Sequence, residues 1–304
     1  MTQTLAPLRH SRQDLGSVLA IQTTALKAVH DFFYSRGFVQ VMPVMVSTIT
    51  DPLCHSVHPA SIRYGGQDLM LTKSMIFHKQ LALAAGLQRI YCVSPNIRLE
   101  QGHLKESGKH LLEFSQVDFE IKDAKMAQVM AIVEDLIISV MQAVKEKHGH
   151  ELASLGRSLA LPQKPFALYD SEDMKEEQGE DFEKILSLRH SQPFWIVNHR
   201  REFYDKEEPE GKFRNYDLVY PEGFGEALSG GEREFEHTQI VKRMGALAQE
   251  QSFEPYLEMS EAGRLVPSAG GGLGVERLVR FLCGKEHIRD VALFPKVPGE
   301  RIVF

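Results

Sequence analysis

The chain has 304 residues, 43% of them apolar and 25% charged, and a formal net charge of −6. This is enough for a sizeable core in one large domain or two small ones. It offers no apolar run of about 18 residues for a membrane span and no basic footprint of a dedicated nucleic-acid binder. Cys54, Cys92 and Cys283 are scattered and make neither a disulfide framework nor a zinc ribbon, so reduced, mostly buried thiols are expected. Residues 1–15 lack a signal-peptide core, and a cytoplasmic protein is expected.

Residues 14–36 read as an amphipathic helix, with Val18, Ile21, Leu26, Val29, Phe32 and Phe33 near helical spacing and Gly37 to end it. Residues 38–46 read as a strand interrupted by Pro43. A second helix is expected over 75–85, closed by Gly86, then strands over 89–94 and 112–121. In the latter strand Leu112, Phe114, Gln116 and Asp118 share one side. Residues 124–147 give the clearest long helix. The acidic stretch 170–183 reads as a solvated helix face or insertion. Strand signals return at 194–198, 215–220 and 225–228. Helices are expected over 233–249 and 274–283, the last entered from a glycine-rich strand. Helices and strands alternate without regular βαβ units, which predicts an α+β fold with a mainly antiparallel sheet.

Arg98-Leu99-Glu100, followed by Lys109-His110-Leu111-Leu112-Glu113-Phe114, places a fixed cation, an acid and an aromatic ring on two strands joined by a loop. Arginine cannot lose its charge and suits a phosphate oxygen. Downstream, Gly270 to Gly274 lead into Val275-Glu276-Arg277-Leu278, where glycines permit close backbone approach to a ligand before a helix begins. No Walker motif is present.

These segments resemble motifs 2 and 3 of the class II aminoacyl-tRNA synthetases of the aspartyl/asparaginyl type. Glu113-Phe114-Ser115-Gln116-Val117-Asp118-Phe119-Glu120 resembles that family's EFxQxDxE strand. The resemblance implies an antiparallel sheet flanked by helices and a bent ATP. Arg98 would lie on the α-phosphate and His110 near the β/γ-phosphates. Phe114 and Arg277 would sit on the two faces of adenine, with Gly274 close to the nucleotide. It implies Mg²⁺ on Glu226 and Ser229, and on Asp217 if residues 221–224 hold a small insertion. Lys79 and Arg233 fall on the cations that grip a substrate carboxylate, with Ser74 and Ile76 in the same pocket. Ile76 stands where a glutamine would contact the substrate's amino group, and the acidic flap after Pro43 is absent. A turned substrate follows, its α-carboxylate on Lys79 and Arg233 and its β-carboxylate toward ATP.

Ile49-Thr50-Asp51-Pro52-Leu53, Ser94 to Glu100, Arg201-Glu202-Phe203-Tyr204-Asp205 and Pro267 to Gly284 also resemble the archaeal asparagine synthetases related to these enzymes. That family implies a single catalytic domain over 1–304 without an anticodon-binding domain, a homodimer, and no membrane. It also makes tRNA an unlikely partner. The implied reaction joins aspartate and ammonia at the expense of ATP, through β-aspartyl-AMP, with Arg98, Arg277 and Glu100 catalytic and Glu100 or Glu232 as candidate bases. The alternatives are an amide ligase for another acid or amine, aminoacyl transfer to tRNA or protein, and a non-catalytic amino-acid sensor.

Overall fold

Val18, Ile21, Ala25, Val29, Phe32 and Phe33 fall on one face of a helix, and that face is buried. The computed structural model describes residues 14–302, so most of the N-terminal segment read for a signal peptide lies outside it. In chain order the elements are α1 (Leu15–Ser35), β1 (Val39–Gln40), β2 (Val46–Ser47), β3 (Ser61–Tyr64), β4 (Gln67–Leu71), α2 (Ile76–Ala84), β5 (Arg89–Ile97) and β6 (Glu113–Lys122). They continue with α3 (Met126–Lys147), α4 (Gly149–Ser154), β7 (Ala167–Asp170), α5 (Ser171–Gln178), α6 (Phe182–Arg189), β8 (Phe194–Val197) and β9 (Asn215–Tyr220). The last are β10 (Gly225–Glu232), α7 (His237–Met244), α8 (Glu254–Glu261), β11 (Ser268–Gly274) and α9 (Val275–Cys283).

Eight strands form one sheet in the order β1-β5-β6-β11-β10-β9-β8-β7, and β2-β4-β3 form a small second sheet. Only the edge pairs β1–β5 and β7–β8 are parallel. This is the expected α+β architecture.

Strand periodicity gives the large sheet two unlike faces. Tyr91, Val117, Phe119, Leu273, Leu228 and Leu218 point into the main core with the buried stripes of α1, α3 and α9. Their neighbours in register, Ser94, Gln116, Asp118, Gly272, Ser229 and Asp217, occupy the other face. The polar face is where a ligand can reach the sheet. Gly270 is required there, because a Cβ would come within 2.4 Å of the Glu120 carboxylate and 2.1 Å of the Phe119 carbonyl. Among the described helices only α3 is long and apolar enough to cross a bilayer. Val129, Val133, Leu136, Ile137 and Val140 on it are packed in the core.

Several expectations are corrected. The strand over 38–46 is reduced to β1 and β2, since Pro43 has no N–H for a ladder. The helix over 233–249 starts only at His237, because the Arg233 and Glu234 N–H groups donate sideways to Ser268 and Tyr204 carbonyls. It ends at Met244, and α8 was not foreseen. The acidic stretch 170–183 is not simply solvated. It holds α5 and the start of α6, whose Met174, Phe182 and Leu186 pack on Phe194, Ile196 and Val219. Cys92 and Cys283 are buried, and burial raises both thiols to about 12, whereas Cys54 is exposed.

Glu232 is not placed to act as a base. Its Oε1 accepts the Met126 N–H at 2.9 Å at the start of α3, satisfying a donor that no helical carbonyl can reach. Glu232→Ala is therefore expected to lower unfolding free energy by about 1 kcal/mol, the usual worth of such a cap. Urea denaturation checks this, and an unchanged midpoint would show that the contact contributes nothing.

Candidate active site

Two cavities open on the polar face of the sheet, of about 240 and 180 Å³. Arg98, Gln116, Glu226, Gly272 and His55 line both, so the two meet at these residues.

The larger cavity gathers Arg98, Glu100, His110, Phe114, Gly274, Glu226 and Arg277 from three separate sequence segments. Arg98 follows β5, and its Nε donates to the Lys73 carbonyl at 3.1 Å. That bond aims the guanidinium, which lies 5.2 Å from the Phe114 ring centroid. Among the described residues Arg277 makes no cation–π contact with Phe114; instead it pairs with Glu226 at 3.0 Å. A ring and a cation on one cavity without touching is what a base between them needs. Glu276 accepts the Ser115 N–H on both oxygens at 3.0 Å and so ties the start of α9 to β6. Burial raises Glu276 to about 7. Burial, then Arg277, lowers His110 to about 4. It is therefore a neutral hydrogen-bonding group at pH 7, and burial also lowers the Lys109 ammonium beside it.

Glu226 and Ser229 are three residues apart, a spacing that puts side chains on opposite faces of a regular strand. The register of β10 against β9 shifts between Glu226 and Leu228. This bulge brings both onto the polar face. Their hard oxygens fit a Mg²⁺ ion shared with a polyphosphate. Asp217 lies opposite Ser229, and both of its oxygens accept from Arg201 Nη1 at 2.9 and 2.7 Å. Although burial opposes ionisation, Arg201 and His199 hold this carboxyl below its usual range. Among the described residues no group of three His, Cys, Asp or Glu side chains is set to hold a metal by itself.

The smaller cavity is lined by Ser74, Ile76, Lys79, Arg201, Glu202 and Arg233, among others. Lys79 and Arg233 are buried and held by protein groups. Lys79 Nζ donates to Asp118 at 2.9 Å and to the Gly271 carbonyl at 3.0 Å. Arg233 pairs with Glu120 at 3.0 Å and Asp205 at 3.3 Å. Ser74 Oγ accepts the Ile76 N–H at 3.3 Å at the start of α2. Ile76 joins the aromatic cluster of Phe77, Phe203 and Tyr204, so it gives the cavity an apolar wall.

The residue reading missed Arg201, Glu183 and Glu276. Arg201 lies in a segment that was singled out, but no local pattern says that it faces a cavity. Glu183 reaches the site from α6. Burial, then Glu226 and Asp217, raises it to about 7.

The family model for class II tRNA synthetases (D, K and N) matches residues 4–298. The chain belongs to this family. It is similar to the aspartate–tRNA(Asp/Asn) ligase of Methanopyrus kandleri, 29% identical over 94% of this chain and 68% of that one. The asparagine–tRNA ligase of Pelotomaculum thermopropionicum is 31% identical over 95% and 70%. The asparaginyl-tRNA synthetase structure from Pyrococcus horikoshii superposes with a TM-score of 0.86 at 24% identity, covering 98% of this chain and 72% of that one. The chain is thus a class II, ATP-dependent ligase. These relatives overturn the expectation that tRNA is an unlikely partner. Net charge averages over a whole surface and does not report a local phosphate-binding patch.

His55 Nε2 lies 3.2 Å from Glu100 Oε1. Hydrogen bonds to Cys54 and Glu100 raise His55 to about 9. A raised pKa stabilises the fold fully below the unfolded value of about 6.5, and the stabilisation is lost as pH rises through 9. NMR titration of His55 is expected to show that value, and Glu100→Gln to move it toward 6.5. A wild-type midpoint near 6.5 would show that the pair does not hold in solution.

Proposed function

We propose that this ligase activates aspartate on ATP, giving aspartyl-AMP and pyrophosphate, and then passes the acyl group to an acceptor. The observation that carries the reading is the meeting of a nucleotide-sized cavity and a charged, amino-acid-sized cavity at Arg98. A carboxylate oxygen of the amino acid attacks the α-phosphorus, and the bond to pyrophosphate breaks. Arg98 faces the charge that grows on the phosphorus oxygens, and Arg277 with Phe114 holds the base. These three residues are fixed before reaction by Lys73, Glu226 and Glu276, so little reorganisation is needed. Mg²⁺ held by Glu226 and Ser229 would supply further positive charge to the polyphosphate.

For the acceptor, the comparisons support tRNA, since the relatives are named as ligases of tRNA. A second reading, amide formation with ammonia to give asparagine, is favoured by Ile76. An apolar wall there cannot bind a substrate ammonium, which suits a substrate turned so that its β-carboxylate faces ATP.

Aspartate-dependent ATP–pyrophosphate exchange tests the first step. Wild-type protein is expected to exchange, and Arg98→Ala to lose about 100- to 1,000-fold, the usual effect of removing a donor to developing charge. No exchange with either aspartate or asparagine would refute the reading. Incubation with tRNA or with ammonium then separates the acceptors by whether aspartyl-tRNA or asparagine with equimolar AMP accumulates.

A further inference from the structure

Arg98, Lys109 and Arg277 all line the larger cavity, but they are not equally engaged by the protein. Arg98 Nε donates to the Lys73 carbonyl at 3.1 Å. Arg277 Nη1 meets the Glu226 carboxylate at 3.0 Å and its carbonyl at 3.3 Å. Lys109 differs. Its backbone N–H donates to Ser107 Oγ at 3.2 Å, but among the described residues its Nζ has neither a hydrogen bond nor an ion pair. Burial lowers this ammonium, Glu183 opposes the shift, and Arg277 and Arg280 lower it further. A partly buried cation without a counter-charge is unfavourable, and an anion brought into the cavity would favour its charged form.

The position of that ammonium is set by its surroundings. Gly108, just before it, has φ +67°, and the Gly108 carbonyl accepts the Ile288 N–H at 2.9 Å, which pins the turn. Nζ lies against Gly225, where a Cβ would stand 2.7 Å from it and 3.5 Å from Glu183 Oε1. Gly225 precedes Glu226 in β10, so the free ammonium sits beside one of the two residues whose oxygens suit Mg²⁺ shared with a polyphosphate. His110, next in the chain, does not duplicate it. Its ring is neutral at pH 7, and Nδ1 lies 2.7 Å from Ser107 Oγ.

We propose that Lys109 binds the outer phosphates of the nucleotide and supplies the charge that His110 beside it lacks. A lysine ammonium is a compact point charge with three donors, which suits the oxygens of a terminal phosphate. Lys109 does not line the smaller cavity, so its effect is confined to the nucleotide. This rests on the reading that ATP occupies the larger cavity.

The test is equilibrium titration of the wild type, Lys109→Ala and Lys109→Arg with Mg-ATP and with AMP, in the absence of amino acid, with thermal melting to confirm folding. For Lys109→Ala the Kd for ATP is expected to rise about 10- to 100-fold, the range for losing a hydrogen bond to a charged group, while the Kd for AMP stays within about twofold. AMP is the control because it lacks the outer phosphates. Lys109→Arg keeps the charge, so a smaller rise for ATP is expected. If Lys109→Ala does not fold, Lys109→Gln carries the same expectation. An unchanged Kd for ATP in a folded variant without the cation, or equal rises for ATP and AMP, overturns the proposal and leaves the functional reading standing. Wild-type protein that binds neither nucleotide overturns that reading, and this proposal with it.

Discussion

Glu120 is the constraint on which the site depends. It lies at 0% exposure on β6, accepts from Arg233 and Ser268, and faces Lys79. A carboxylate so placed is tolerable only while its cations stay in position. Lys79 comes from α2, Arg233 from the end of β10, and Ser268 from the start of β11. One buried charge thus fixes three elements on the polar face of the sheet. Such a network adds little net stability over an apolar core, but it specifies geometry, and removing one member strands the others. The cavity above it inherits a floor that cannot rearrange cheaply when a ligand arrives.

The two-faced sheet explains how a catalytic surface and a core can share one layer. Alternate residues of β5, β6, β11, β10 and β9 bury apolar side chains on α1, α3 and α9, while their neighbours remain polar. A strict period of two would put Glu226 and Ser229 on opposite faces. The β10 bulge breaks the period and so brings Glu226 and Ser229 onto one face. The glycines of β11 serve the same surface from the other side. Beside Gly272 a Cβ would stand 3.1 Å from Gln116 Nε2 and 3.3 Å from Asp118 Oδ1, in space that a ligand needs.

What was legible in the sequence follows from this geometry. Alternation over 113–120, helical spacing in α1 and α3, and the run from Gly270 to Arg277 are local signals, and each appears where it was expected. The larger cavity was legible for the same reason, because Arg98, Phe114 and Arg277, which line it, are each embedded in a patterned segment. The partners that set charge and orientation were not. Arg201 with Asp217, Glu232 on the α3 N-terminus, Glu183 near Glu226 and Glu276 on Ser115 all join residues distant in the chain through side-chain contacts. No periodicity records such pairings. An acid that caps a helix and an acid that binds a metal look alike until the fold places a donor beside one of them.

Activation and acceptor choice lie on different parts of this molecule, and so they are legible to different degrees. On the proposed reading, adenylate formation rests on Arg98 just after β5, Phe114 on β6, Arg277 on α9 and the meeting of the two cavities. On the same reading, the isoleucine at position 76 bears on how the amino acid lies rather than on adenylate chemistry. Membership of the family therefore fixes the first half-reaction much more tightly than the second. The discriminating chemistry resides in a few charges around the smaller cavity, and their balance is set by which cations the protein has already neutralised for itself.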